Sequence, residues 1–311
     1  MAENTRKFEV LRLSVLSHCN FACVYCAPKN KSDSYETKIH FISTELLESK
    51  IKILITILKL KEVHLTGGEP TLHKEITNII QKIRILGIDE VALTSNGFFN
   101  MQLIDKMKDA GLTRMNFSLD SINQYAFEKM SDRKIPIENI KINILHAKNT
   151  GLDVKINCTV LNGYNQNEIL PLLDWAGENE IPIRYLEFMK MGPLQAEHSD
   201  LFFSSDKIKN TIKSKYKFKP YYTEKDSTAT YHQTENGYIF GIIANHSEPF
   251  CEGCNRLRMD SFGRVYGCLS DQTSFELPEN LDAAKAALAQ AMLTKKNYFT
   301  GSKLSMKFIG G

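Results

Sequence analysis

Six of the seven cysteines in the chain fall into two groups of three. Cys19, Cys23 and Cys26 follow C-x3-C-x2-C in LSHCNFACVYCAP; Cys251, Cys254 and Cys268 follow C-x2-C-x13-C in FCEGCNRLRMDSFGRVYGCL. Closed zinc sites and closed iron–sulfur clusters both use four protein ligands. A trio leaves one metal position open, which catalysis needs and a structural site avoids. The competing readings are zinc sites completed by His18 or His246, or a second cluster with a purely structural or redox role. His18 is adjacent to Cys19, a spacing that structural zinc sites rarely use. Arg256 and Arg258 lie between the ligands of the second group. On a local strand they point the same way, which suits an anionic substrate. Cys158 stands alone on an apolar strand face and reads as a small buried hydrophobe. A disulfide framework would need spread, even-numbered cysteines and an export signal.

The remaining composition bounds the setting. The chain has 311 residues, 42% hydrophobic and 24% charged, enough for a large core. A net charge of +3 gives no reason to expect a nucleic-acid partner. The start, MAENTRKFEV, lacks the apolar stretch of a signal peptide, and no apolar run reaches membrane-spanning length. The expectation is a cytoplasmic protein with no membrane partner.

The cysteines need a scaffold, and the first two thirds of the chain supply an alternation of strands and helices. Strands are predicted at 9–16, 62–66, 89–95, 113–119, 153–160 and 182–188. Helices are predicted near 43–59, 74–86, 101–110, 136–150 and 166–178, the first with Thr44 as its N-cap. Such alternation argues a parallel sheet of βαβ units. Parallel strands covered on both faces should read as continuous apolar runs. These alternate instead: Arg12 and Ser14, His64 and Thr66, Asn116, Ser118 and Asp120, and Lys155, Asn157 and Thr159 each share a polar face. The geometry that satisfies this is a curved sheet with helices outside and a polar lumen. The alternative is an antiparallel sheet with one wet face. Beyond about residue 195 the pattern changes to a helix at 204–215, short strands, and a helix at 280–295.

The first cysteine loop follows the first strand, and TGGEP at 66–70 follows the second. Together they resemble the radical S-adenosylmethionine (SAM) superfamily. With LRLS, TSNG, NFSLDS, VKIN, RYLEFM, FCEGCNRLR and the final Gly310–Gly311, nearly the whole chain resembles the GTP 3′,8-cyclase family of molybdenum cofactor biosynthesis. The resemblance implies a partial, open parallel β/α barrel of about six units over 1–195. It implies a C-terminal α+β extension over 196–311 that carries a second Fe–S cluster. It implies a [4Fe–4S] cluster on Cys19, Cys23 and Cys26, completed by SAM, with Tyr25, Gly67, Gly68, Glu69, Ser118 and Met189 around SAM. Cys251, Cys254 and Cys268 would hold the second [4Fe–4S] cluster, whose open iron meets guanine. Arg12, His64, Ser95, Lys155, Arg256, Leu257 and Arg258 would line the GTP pocket. Arg256, Arg258, Gly310 and Gly311 would act in catalysis, which joins C3′ of the ribose to C8 of guanine after hydrogen abstraction by a deoxyadenosyl radical.

From the residues alone, Gly67 and Gly68 allow a backbone to approach a ligand closely, and Glu69 can accept from an ammonium. In the GTP pocket that the resemblance implies, Arg12, Lys155, Arg256 and Arg258 would hold the triphosphate by charge, as no P-loop occurs. The implied partners are GTP, an electron donor and a cyclic pyranopterin monophosphate synthase downstream; a homodimer is compatible. One departure stands out. Where the family carries a basic residue before TGGEP, this chain reads Glu62-Val63-His64. An acid facing the lumen would repel phosphate and would favour a paralogue acting on another nucleotide or a peptide. The reading from a different class is a zinc-stabilised, non-catalytic binding protein.

Overall fold

A computed structural model describes residues 6–26, 40–223 and 227–309. Its strands are β1 (Val10–Ser14), β2 (Glu62–Thr66), β3 (Glu90–Ser95), β4 (Arg114–Ser118), β5 (Asp153–Val160), β6 (Ile183–Glu187), β7 (Phe218–Pro220), β8 (Thr230–Thr234), β9 (Ile239–Ile243), β10 (Arg256–Met259) and β11 (Val265–Tyr266). They form one open sheet in the order β11-β10-β1-β2-β3-β4-β5-β6-β9-β8-β7. β1 to β6 run parallel, as the alternation predicts. Among the described residues, the chain beyond residue 196 builds no second sheet. Its β10 adds in parallel to β1 and its β9 in parallel to β6, so it extends both edges of the first. β11, β8 and β7 finish those edges in antiparallel fashion.

The helices are α1 (Thr44–Ile57), α2 (Ile76–Ile85), α3 (Gln102–Asp109), α4 (Gln124–Ser131), α5 (Ile137–Asn149), α6 (Ile169–Glu178), α7 (His198–Leu201), α8 (Ser205–Lys213) and α9 (Leu281–Leu293). The N-cap of α1 is Ser43, whose hydroxyl accepts from the Leu46 N–H; Thr44 is the first helical residue and donates to Glu75 instead. α4 and α7 escape the sequence reading. α4 buries little beyond Phe127 and Met130, and α7 has four residues, so neither shows a clear apolar helical repeat. Among the described residues no helix is long and apolar enough to cross a membrane.

The pleat sorts the side chains. Leu11, Leu13, Val63, Leu65, Met115, Phe117, Ile156 and Cys158 are fully buried in the main hydrophobic core. Burying each large one contributes about 1.5–3 kcal/mol. The alternate residues face inward, and a cavity of about 300 Å³ opens there. Both cysteine groups line it.

Candidate active site

The first cysteine loop leaves β1 and is held from three sides. The Ala22 and Val24 N–H groups donate to the carbonyls of Ser131 and Met130, at the end of the unpredicted α4. Asn20 Nδ2 donates to Phe98 O, and Asn96 Nδ2 donates to Asn20 Oδ1. Cys19, Cys23 and Cys26 all line the cavity, half-buried. Burial, then Glu69, pushes the Cys19 thiol up to about 12; burial, then Asp120, pushes Cys23 up. Metal binding must therefore displace protons here. The Tyr25 hydroxyl donates to Asp120 Oδ2 at 2.8 Å, and the Thr159 N–H donates to Oδ1 at 2.8 Å. Tyr25 is thus fixed at the cavity wall.

The glycines after β2 answer to the protein itself. A Cβ on Gly68 would lie 2.0 Å from His18 O, and one on Gly67 would lie 2.3 Å from Leu16 O. The Gly68 and Glu69 N–H groups donate to those same carbonyls, each at 2.8 Å. The close neighbour is the stem of the cysteine loop, which sequence reasoning had as a ligand. Glu69 is also more occupied than expected. Its Oε1 accepts from the Thr71 N–H, the Thr71 hydroxyl and the Ser95 hydroxyl, and its Oε2 accepts from the Asn96 N–H. The carboxylate braces the ends of β2 and β3 against the cysteine loop while one face of it lines the cavity.

Deeper in the lumen, β10 lies beside β1 in the register Arg12↔Arg258. Arg12, Arg184, Arg256 and Arg258 all line the cavity. Burial, then Arg258 and Arg256, lowers Arg12; burial, then Arg256, lowers Arg258 to about 10. Positive charge is crowded here, and an anion would relieve it. Arg184 was missed in the sequence reading. Its Nε donates to Asn157 Oδ1 at 2.8 Å and its Nη2 to Asn116 Oδ1 at 2.6 Å. The signal was available: in IRYLE, Ile183 and Tyr185 are buried, so Arg184 and Leu186 take the lumen face.

His64 is in the lumen, neutral and buried. Burial, then Arg12, brings its imidazole down to about 3. Its Nε2 stands 2.8 Å from the Thr94 hydroxyl and 3.2 Å from Asn116 Nδ2, both able to donate. Its Nδ1 faces Glu62 Oε1 at 3.5 Å, so the ring proton belongs on Nδ1. Glu62 does not line the cavity; Arg114 takes it up. Burial opposes ionisation, but His64 and Arg114 prevail and hold the carboxyl down to about 2. Glu62 is therefore paired outside the cavity lining and does not face the lumen as the sequence reading allowed.

Two expected lining residues lie elsewhere. Lys155 shares the polar face of β5 but sits near its start, where its ammonium pairs with Asp153 at 3.1 Å outside the cavity lining. Leu257 alternates with the two arginines, so its side chain is fully buried in the core. Ser95, Ser118 and Met189 do line the cavity. Gly310 and Gly311 lie outside the described residues. The chain leading to them is anchored by the Ser14 hydroxyl donating to Lys307 O at 2.6 Å, and Met306 and Lys307 line the cavity.

The second group gathers around the β10–β11 hairpin. Cys251 and Cys254 share one tight turn, closed by the Cys254 N–H donating to Cys251 O at 3.2 Å. Cys268 follows β11. A Cβ on its neighbour Gly267 would lie 1.7 Å from Ala291 O, so glycine is needed where this turn meets α9. Burial would raise the Cys254 thiol, but Arg256 and Lys295 bring it down to about 6. His18 and His246 are exposed and outside the cavity lining; His246 stacks on His198. Among the described residues no group of three or more His, Cys, Asp or Glu forms the ligand set of a single metal ion. A four-iron cluster takes thiolates at separate corners, and the donor chemistry fits it: two trios of soft thiols line one cavity, whose lining includes neither His18 nor His246.

Comparison with known proteins agrees with this geometry. Residues 13–176 match the family model of the radical SAM superfamily. Residues 181–300 match that described as Molybdenum Cofactor Synthesis C. The fold resembles SuiB of Streptococcus suis bound to S-adenosylmethionine, with a TM-score of 0.64 at 14% identity, covering 89% of this chain and 65% of that one. Radical SAM proteins carry a [4Fe–4S] cluster and bind SAM, and this is the class that sheet and cysteine loop define. The chain is 33% identical over 279 residues to the GTP 3′,8-cyclase of Aquifex aeolicus (strain VF5), covering 89% of this chain and 87% of that one. It is 36% identical over 297 residues to the GTP 3′,8-cyclase of Helicobacter pylori (strain J99), covering 93% and 91%. Within the radical SAM superfamily, the chain belongs to the GTP 3′,8-cyclase family.

Proposed function

We propose that this protein converts GTP to 3′,8-cyclo-7,8-dihydro-GTP, the first step of molybdenum cofactor biosynthesis. One observation carries the reading: four guanidiniums, Arg12, Arg184, Arg256 and Arg258, converge on the same cavity as both thiol trios. A triphosphate supplies the negative charge that this crowding lacks. When bound, the cluster on Cys19, Cys23 and Cys26 together with SAM supplies the radical that starts the reaction. Tyr25, Gly67, Gly68, Ser118 and Met189 enclose SAM, while Glu69 holds the loop that presents it. Arg12, Arg184 and the neutral His64 orient the phosphates and ribose; Ser95 keeps Glu69 in place. Arg256 and Arg258 hold the purine end near Cys251, Cys254 and Cys268, which carry a second [4Fe–4S] cluster. Met306 and Lys307, which line the cavity, precede the Gly310–Gly311 pair that the reading assigns to catalysis. The reading calls for a cytoplasmic electron donor and a cyclic pyranopterin monophosphate synthase to consume the product. Glu62, turned away to Arg114, lends no support to a different substrate.

The test uses GTP deuterated at C3′ with SAM and the reduced protein. Deuterium in 5′-deoxyadenosine, with formation of the cyclised nucleotide, is the expected result. Deoxyadenosine free of deuterium with GTP recovered intact would overturn the reading.

A further inference from the structure

We propose that Lys295 is a positioning residue that holds the Cys254 sulfur and raises the reduction potential of the cluster on Cys251, Cys254 and Cys268. The inference rests on the second-cluster reading above.

Lys295 follows the end of α9, where its N–H donates to Met292 O at 3.1 Å. Its ammonium donates to Cys254 Sγ at 3.3 Å and to Arg256 O at 3.0 Å. It also stands 5.1 Å from the centre of the Phe8 ring. The residue is 8% exposed. Among the described residues it forms no ion pair with a carboxylate. A buried ammonium is costly without an anion, and the anion within its reach is the Cys254 thiolate. This contact is independent of any substrate, since it is made by the folded chain alone.

The other trio shows the contrast. Among the described residues the Cys19 sulfur accepts only from amide donors, the Phe21 N–H at 3.4 Å and Asn96 Nδ2 at 3.8 Å. The groups acting on Cys19 and Cys23 across space include the carboxylates of Glu69 and Asp120. Cys19 and Cys23 therefore sit beside carboxylates, and Cys254 beside a cation. Hydrogen bonds to sulfur and local charge are what set cluster potentials, because reduction adds negative charge that a nearby cation stabilises. The two clusters bear the same number of thiolates, and residues outside the ligand set separate their potentials.

The experiment is a redox titration of the anaerobic holoenzyme, followed by electron paramagnetic resonance, with iron analysis of every sample. The signal lost in Cys251→Ala identifies the second cluster. Lys295→Met should move that midpoint to more negative potential and leave the first cluster's unchanged, with about eight irons retained, the sum of two four-iron clusters. Lys295→Arg should stay near wild type. An unmoved midpoint at full iron content, or an equal shift of both clusters, would overturn the inference while leaving the second cluster standing. Wild-type protein with only about four irons would overturn the second-cluster reading and this inference with it. If Lys295→Met does not assemble, Lys295→Gln serves instead, since it keeps a donor and removes the charge; its expected shift is smaller and in the same direction.

Discussion

Arg114 reaches from β4 across β3 to the carboxylate of Glu62 on β2 and keeps that acid out of the cavity lining. The pair is largely buried, with side chains 20% and 15% exposed, and Arg114 also meets Glu90 at 3.3 Å. Removing Arg114 leaves the largely buried Glu62 carboxylate with only the neutral His64 ring beside it. Arg114→Gln should therefore cost roughly 2–4 kcal/mol, slightly below the range for fully buried pairs. The double variant Glu62→Gln, Arg114→Gln should recover most of that loss. Urea midpoints of the four proteins close the cycle. Additive losses would show that the two residues do not act as a pair.

The same corner of the lumen makes stability depend on pH. Both Glu62 and His64 have depressed values in the folded state, about 2 and about 3. Unfolded, they return to ordinary values near 4.5 and 6.5. Between those limits the unfolded chain binds more protons, so stability falls as pH falls. The His64 contribution begins below pH about 6.5 and the Glu62 contribution below about 4.5. His64→Gln keeps an acceptor for Thr94 and cannot titrate. It should flatten the decline between pH 6.5 and 5, read from thermal midpoints across that range. A slope identical to wild type would mean that His64 takes up its proton at the same pH folded and unfolded.

Much of the scaffold was legible because a parallel barrel writes itself in period-2 alternation. Arg12, His64, Ser118 and Asn157 all take the lumen face that their strands assign. What stayed hidden depends on depth along a strand and on chain closure. Lys155 has the right face but lies too near the start of β5, and Leu257 has the wrong face between two right ones. Lys295 carries no local signal, since only the packing of α9 against β11 brings it to Cys254. The compensation of Glu62 by Arg114 spans two strands, and a motif reading stops at the motif.

Gly267 gives a test of how the second trio is placed. A methyl group there would overlap Ala291 O, and backbone at the end of α9 cannot yield as a flexible side chain does. Overpacking of this kind costs about 1–3 kcal/mol. Gly267→Ala should displace Cys268, so anaerobic protein should lose about half its iron while SAM cleavage persists on the first cluster. Full iron content would show that the hairpin adjusts and that the close approach is not required for the site.

Arg184 is the lumen cation the motifs did not announce, and its two amide partners make its role separable from simple charge. Its fork holds Asn116 and Asn157 together across β4, β5 and β6. A lysine carries the same charge but cannot donate to both amides while facing a phosphate. Arg184→Lys should therefore retain the fold and raise KM for GTP, with kcat reduced far less. A charge-assisted hydrogen bond lost to substrate corresponds to about 1.5–3 kcal/mol, or roughly 10–100-fold in kcat/KM. Arg184→Met should lose more, because both Asn oxygens and the phosphate are then left without a donor. Steady-state kinetics over a GTP series distinguish the cases. If Arg184→Lys leaves KM unchanged, the guanidinium braces the sheet and does not touch the nucleotide, and the lumen's contact with phosphate falls to Arg12, Arg256 and Arg258.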